Sequence, residues 1–247
     1  MRTTRAEAIA AARAEERAAN QRLLRLVTHE TRTPLQAILG FVGMLGEPRQ
    51  SEANQKLCRT MIQQEAQRLA WVIDDLCQQV DLDSGRLTLL PGPVEAETLV
   101  LEAARRAELL DRDRTLPLRL CPGLPLVYVD AVLVQSILFT LLRNAFRYTA
   151  GDLHVELARD PSGGVRIAVR DNGPAFPAEL HEVLFERLVE LPRKHGAWPR
   201  AGLGLGLFVA RELARRMGGD LWLEEGPAAG NDFCLRLPAA QPTGAGG

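Results

Sequence analysis

Positions Leu24, Val27, Thr31, Leu35, Ile38, Val42 and Leu45 follow one another at spacings of 3, 4, 4, 3, 4 and 3. That is the rhythm of a heptad seam, narrower than a general amphipathic face, and it asks for partner helices. Upstream, residues 5 to 22 intersperse Glu7, Glu15 and Glu16 among Arg5, Arg13, Arg17 and Arg22, the composition of an exposed or coiled-coil helix. Gly46-Glu47-Pro48 ends the first helical pattern. A second runs from about Ala53 to Leu82, with Leu57, Met61, Leu69, Val72, Leu76 and Val80 on one side. One hairpin cannot bury such a seam alone, so two copies are expected to pair as a four-helix bundle, a homodimer.

After Asp83-Ser84-Gly85 the period changes. Alternating runs predict strands at Arg86 to Leu90, Leu116 to Leu120, Leu126 to Val129, Asp152 to Ala158, Val165 to Arg170, Asp220 to Glu224 and Asp232 to Leu237. Helices are expected near 95 to 111, 131 to 147 and 206 to 217, and Ser162-Gly163-Gly164 reads as a hairpin turn. The expected fold class is α+β: an N-terminal helical hairpin followed by an α/β sandwich whose mixed sheet carries helices on one face. The expected division is a linker or coiled-coil helix over residues 1–20, a dimerisation hairpin over 21–83, an α/β domain over 84–238 and a disordered tail over 239–247. The whole Ala, Pro and Gly rich stretch from Pro238 onward is expected to be frayed.

Composition narrows the function classes. The 30 basic and 31 acidic residues leave a formal net charge of −1, so no global field favours nucleic acid or anionic lipid. Cys58, Cys77, Cys121 and Cys234 form no CxxC pair, which argues against a zinc site or a disulfide framework and for a reducing cytoplasm. No run of 18 apolar residues predicts a membrane span. A cytoplasmic location is expected, as a chain of its own or as part of a larger or membrane-attached sensor.

The candidate chemistry sits in four strings. His29 lies off the heptad seam and is expected to face water, with Arg32 and Thr33 one turn on and within reach of the imidazole. Glu30 is about 100° away around the helix and needs side-chain reach or local distortion to meet the ring; Pro34, which cannot donate to the carbonyl of Glu30, is expected to bend the helix there. Asn144 and Arg147, three residues apart, offer an oxygen ligand for Mg²⁺ beside a cationic phosphate contact. Asp171-Asn172-Gly173-Pro174 follows a strand, where a simple turn and a carboxylate accepting from an exocyclic amine are both open readings. Gly202, Gly204 and Gly206 precede a helix, where bare backbone N–H groups can approach phosphate oxygens.

Together these strings resemble the sensor histidine kinases of two-component signalling over about residues 20 to 238: a phosphoacceptor hairpin followed by a Bergerat-type ATP-binding domain. The resemblance implies ATP and Mg²⁺ as cofactors. It implies His29 as the phosphorylated residue, Glu30 as the acid polarising its ring, and Thr33 as the residue orienting water for dephosphorylation of the partner. Gln135 to Thr149 resembles the N box, implying Asn144 as metal ligand with Arg147 and Tyr148 near the nucleotide. Asp171 and Gly173 match the first glycine box, Phe185 with Glu186 and Arg187 the phenylalanine box, and Gly202 to Leu207, with Gly204 and Gly206, the second glycine box. Residues 188 to 201, with Arg193, Lys194 and His195, would be an ATP lid.

Three positions depart from that pattern: Thr140 replaces the first asparagine of the N box, Ala175 the second glycine of its box, and Thr31 a Leu or Ile beside the acceptor. If position 175 needs φ > 0, its β-carbon costs about 1 kcal/mol. Thr31 can turn its hydroxyl to the carbonyl four residues back. The expected activity is ATP-dependent autophosphorylation of His29 and transfer to an aspartate of a response regulator, with phosphatase activity toward that partner. For this the ATP-binding domain swings so that His29 attacks the γ-phosphorus in line. The alternatives are a degenerate kinase acting as a dimeric scaffold and an ATPase that works without His29.

Overall fold

Heptad spacing and good helix formers give two long helices, α1 (Arg5–Leu45) and α2 (Glu52–Asp83), in the computed structural model, which describes residues 5–47, 50–109, 114–149, 151–189, 203–225 and 230–240. α1 runs unbroken through Pro34, which is buried, so the charged N-terminal stretch and the acceptor string share one helix. In α2 the buried seam differs from the expected one. Cys58, Val72 and Gln79 are buried, while Leu57 and Val80 are exposed. Positions 58, 62, 65, 69, 72, 76 and 79, alternating by 4 and 3, are buried or half-buried and carry polar Glu65 and Gln79, with Met61, Arg68, Trp71 and Leu82 covered beside them. Several apolar residues remain open in the protomer: Leu35, Leu39 and Val42 of α1 with Leu57, Ile73 and Val80 of α2.

The chain divides into two compact units, Met1–Val80 with Ala201–Leu203, and Asp81–Arg200 with Gly204–Gly247. In the second, β1 (Gly92–Val94) pairs antiparallel with β3 (Val127–Val129). A five-stranded sheet has the order β2-β4-β5-β7-β6, made of β2 (Leu118–Leu120), β4 (Leu153–Arg159), β5 (Val165–Asp171), β6 (Asp220–Glu225) and β7 (Asn231–Leu237). Only β2 and β4 run parallel. Three helices, α3 (Ala96–Glu108), α4 (Ala131–Tyr148) and α5 (Gly206–Arg216), complete the unit.

Period-two burial sets which face of the sheet they cover. Val155, Leu157, Ile167, Val169, Leu235 and Leu237 are all buried toward the helices, opposite Ile137, Leu138, Leu141 and Leu213. The other face is a lattice of charges, with Arg170 paired to both Glu156 and Asp232 and Arg166 to Glu224. Cys234 sits fully buried among them, and burial pushes its thiol up to about 12 against the opposing hydrogen bond from Arg166. Burial likewise raises the carboxyl of Asp232, although Arg170 and Arg166 pull it down. The β4–β5 connection is the expected hairpin, with Gly163 and Gly164 at φ of 100° and 88°; a β-carbon on Gly164 would collide with the carbonyl oxygen of Leu237.

Two expected elements are corrected. Arg86 to Leu90 forms no strand; Leu90 is 79% exposed and its backbone N–H donates to Asp130 instead of to a ladder. The tail does not begin to fray at Pro238: Ala239 bridges Val127, and the N–H of Ala240 donates to Leu126 at 2.7 Å, because β3 has a free edge there. Residues 241–247 lie outside the described residues, as do 190–202, where the expected lid, Arg193, Lys194, His195 and Gly202 fall.

Candidate functional site

The candidate residues lie in both units, and each group is built by its own unit. On α1, the His29 side chain is 78% exposed, as its position off the seam requires. Its Nδ1 lies 3.5 Å from Oε1 of Glu30, a carboxylate only 12% exposed. Side-chain reach therefore makes the contact. The other carboxylate oxygen of Glu30 accepts from Arg68 of α2 at 3.2 Å, and Arg68 also faces Glu65 at 4.0 Å. Arg68 was missed in the sequence. Its only signal there is a charged pair, Glu65 and Arg68, set three apart on or beside the covered side of the helix.

Two expectations for this helix are corrected or met in detail. Thr33 does not reach the imidazole: its hydroxyl donates to the backbone oxygen of His29 at 3.2 Å, the bond a threonine makes most readily four residues along a helix. Thr31 does the same with Val27 at 2.7 Å, which satisfies a hydroxyl on the apolar seam. Arg32 is exposed.

In the α/β unit, Asp130 caps α4, its Oδ1 accepting from the N–H groups of Val132 and Leu133 at 3.0 and 3.3 Å. The helix is anchored on α3 by Gln135, which donates to the carbonyl of Leu99 and to Glu102, both at 3.0 Å. Asn144, two turns further on, is half-buried and bonds no described residue, leaving its carboxamide oxygen open as a ligand. Thr140, one turn before it, is buried. Arg147 is exposed; of the Tyr148 side chain nothing is described.

At the end of α4 the chain meets β5. Oδ1 of Asp171 accepts from Thr149 Oγ1 at 2.9 Å, from the N–H of Gly173 at 2.7 Å and from Nδ2 of Asn231 at 3.0 Å. Gly230 allows this approach, since a β-carbon there would collide with the carbonyl oxygen of Asp171. Arg114 closes the corner, donating to the carbonyls of Phe146, Thr149 and Gly151 at 3.2, 2.6 and 2.8 Å. Neither Asn231 nor Arg114 stood out in the sequence, because both act across more than 30 residues. Ala175 is not in the left-handed region, so the strain expected there is absent; among described non-glycine residues only Leu188 has positive φ, at 61°.

The glycine string builds a backbone cradle. Gly204 has φ of 65°, and a β-carbon on it would meet backbone N and O of Val189 at 2.9 and 2.7 Å. Its carbonyl accepts from Leu188 at 3.1 Å. Gly206 and Leu207 then open α5, whose N-cap position, Leu205, supplies no side-chain acceptor. Among the described residues no side-chain acceptor takes the first N–H groups of the helix, which suits an anion. Phe185 lies in the core beneath, edge-on to Phe233 at 6.5 Å and under the guanidinium of Arg211 at 4.9 Å. Arg211 in turn grips Glu182 at 2.6 Å, and that hydrogen bond holds Glu182 below the usual carboxylate range. Phe185 thus fixes the turn before the cradle by packing.

With this geometry in view, the chain was compared with known proteins. Residues 19–85 match the family described as His Kinase A (phospho-acceptor) domain, and residues 129–241 the family described as histidine kinase-, DNA gyrase B- and HSP90-like ATPase. The aerobic respiration control sensor protein ArcB of Escherichia coli K12 is 28% identical over 217 residues, 86% of this chain and 28% of that protein. The sensor histidine kinase AtsR of Burkholderia thailandensis is 32% identical over 231 residues, 91% of this chain and 38% of that one. The chain therefore spans well under half of these relatives. Full-length ShkA in complex with AMPPNP shares the fold, with a TM-score of 0.61 and 24% identity over 90% of this chain and 46% of ShkA. Among the described residues no helix is long and apolar enough to cross a membrane.

Proposed function

Because the chain belongs to the sensor histidine kinases of two-component systems, we propose that it transfers the γ-phosphoryl group of ATP to His29 and then to an aspartate of a response regulator. The observation that carries this reading is the imidazole: an exposed ring engaged, among the described residues, at Nδ1 alone, by a carboxylate that Arg68 holds in place. Glu30 takes up the Nδ1 proton's charge while Nε2 attacks. The P–N bond forms as the bond from the γ-phosphorus to the β,γ-bridging oxygen breaks, and ADP leaves. In the second transfer the P–N bond breaks and a carboxylate O–P bond forms on the regulator.

On the nucleotide side, Asp171 accepts from the adenine amine through its unfilled oxygen, and Gly204, Gly206 and Leu207 present backbone N–H groups to the phosphates. Arg147 and Tyr148 stand near the nucleotide. The open carboxamide oxygen of Asn144 fits Mg²⁺, which takes few protein ligands beside phosphates and water and, when bound, supplies charge neutralisation. Thr33, on the exposed face one turn from His29, serves the reverse reaction by orienting water against the phosphorylated regulator. Two copies of the hairpin cover the exposed Leu35, Leu39, Val42, Leu57, Ile73 and Val80 as a homodimer.

The test is acid-labile, base-stable labelling from [γ-³²P]ATP with a panel of receiver domains. His29→Gln is expected to abolish label and keep ADP binding. Steady phosphate release that survives the substitution, with no label in the wild type, would assign the chain to ATPases; a wild type that binds no nucleotide would make it a scaffold.

A further inference from the structure

Asn231 is 5% exposed, and its carboxamide can sit only one way round. The N–H of Phe176 can only donate, so the amide oxygen faces it, at 3.0 Å. Asp171 Oδ1 and the carbonyl of Pro174 can only accept, so the NH₂ faces them, at 3.0 and 3.2 Å. One side chain at the start of β7 thus ties the carboxylate at the end of β5 to the loop that follows it, and Asp171 and Asn231 are register partners.

The consequence lies on the other oxygen. With Thr149, Gly173 and Asn231 all donating to Oδ1, that atom is saturated, and among the described residues no donor takes Oδ2. We infer that Asn231 is a positioning residue that sets base selectivity: it pins the plane of the Asp171 carboxylate so that a single unfilled acceptor meets the base. The inference rests on the reading that Asp171 binds the nucleotide's base. A 6-amino purine offers that acceptor an N–H, whereas a 6-oxo purine opposes it with a second set of lone pairs, leaving both groups unpaired. Without the Asn231 donor the carboxylate can turn about its Cβ–Cγ bond, and the base no longer meets the same oxygen every time.

The experiment is calorimetric titration of the full chain with ADP and with GDP, both with Mg²⁺. Wild type is expected to prefer ADP by about 100-fold. Asn231→Leu keeps the volume and removes the donor; ADP affinity should fall about tenfold while GDP affinity holds, so the ratio shrinks by the same factor. Asn231→Thr, which returns one hydroxyl donor, should recover part of the ratio. Thr149→Val removes a second donor to the same oxygen from the other side of the corner and should shrink the ratio too. It decides the question if Asn231→Leu melts early by circular dichroism. A merely structural role would weaken both nucleotides in parallel; parallel loss, or an unchanged ratio in folded variants, overturns the inference. Label on His29 is scored separately, so a wild type that is labelled but does not discriminate ADP from GDP defeats this assignment alone.

Discussion

The hairpin and the α/β unit bury their apolar residues by opposite rules. In α1, Leu39 is 62% exposed; in α5, Leu213 is 1% exposed. The sheet unit closes its own core against three helices, so its stability is a property of one chain. The hairpin spends its covered seam partly on polar groups, Glu65, Gln79 and the Glu30–Arg68 pair, and leaves an apolar stripe outside. On the proposed reading, the exposed imidazole and the open apolar stripe belong to a surface that a second copy completes. On that same reading, the α/β unit has only a small molecule to recognise, with backbone amides and the carboxylate of Asp171.

The contrast can be broken most sharply in the cores. Leu213→Ala is expected to cost about 2–5 kcal/mol in denaturant unfolding of the α/β unit, whereas Leu39→Ala should change that transition by under about 0.5 kcal/mol and instead weaken dimerisation, read by sedimentation across a dilution series. Equal effects on unfolding would end the distinction. Gly204→Ala should come next, at about 1–3 kcal/mol, because a β-carbon there meets the Val189 backbone at a left-handed φ; the loss is read in melting and in ADP affinity together.

A smaller effect tests the polar part of the hairpin. Arg68→Met should slow His29 labelling about tenfold by freeing Glu30, with ADP binding and dimerisation unchanged. A parallel loss of dimerisation would make Arg68 a packing residue. A pH-dependent effect tests the outer face of the sheet. The Cys234 thiol is raised from 9.0 to about 12 in the fold, so above pH 9 the unfolded chain loses a proton that the folded one keeps. Stability should therefore fall with rising pH between those values, by up to about 1.4 kcal/mol per unit, and Cys234→Ala should flatten the slope in denaturant melts taken at pH 8 to 11.

Much of the fold was legible because local pattern and tertiary demand agree: the alternation of Val165 to Arg170 and the cap-plus-apolar run from Asp130 through Ala145 each state one element and its buried side. Legibility failed where a long-range partner decided the outcome. Arg86 to Leu90 alternates like a strand, yet the N–H of Leu90 is taken by Asp130, 40 residues away. Leu57 looked like core and Cys58 did not, because the register of two helices cannot be read from one. At the site, the glycines and Asp171 were visible because they are local devices. Asn231, Arg114 and Arg68 were not: each works on a residue more than 30 positions distant, and no local periodicity marks such a pair. Ala175 erred the other way, since the backbone there never needed a glycine.

Asp130 gives one carboxylate two tasks. One oxygen starts the helix that carries Asn144, and the other holds the N–H of Leu90, where the chain arrives from α2, at 2.9 Å. Displacing the segment at Leu90 therefore pulls on the same carboxylate that caps the first turn of α4.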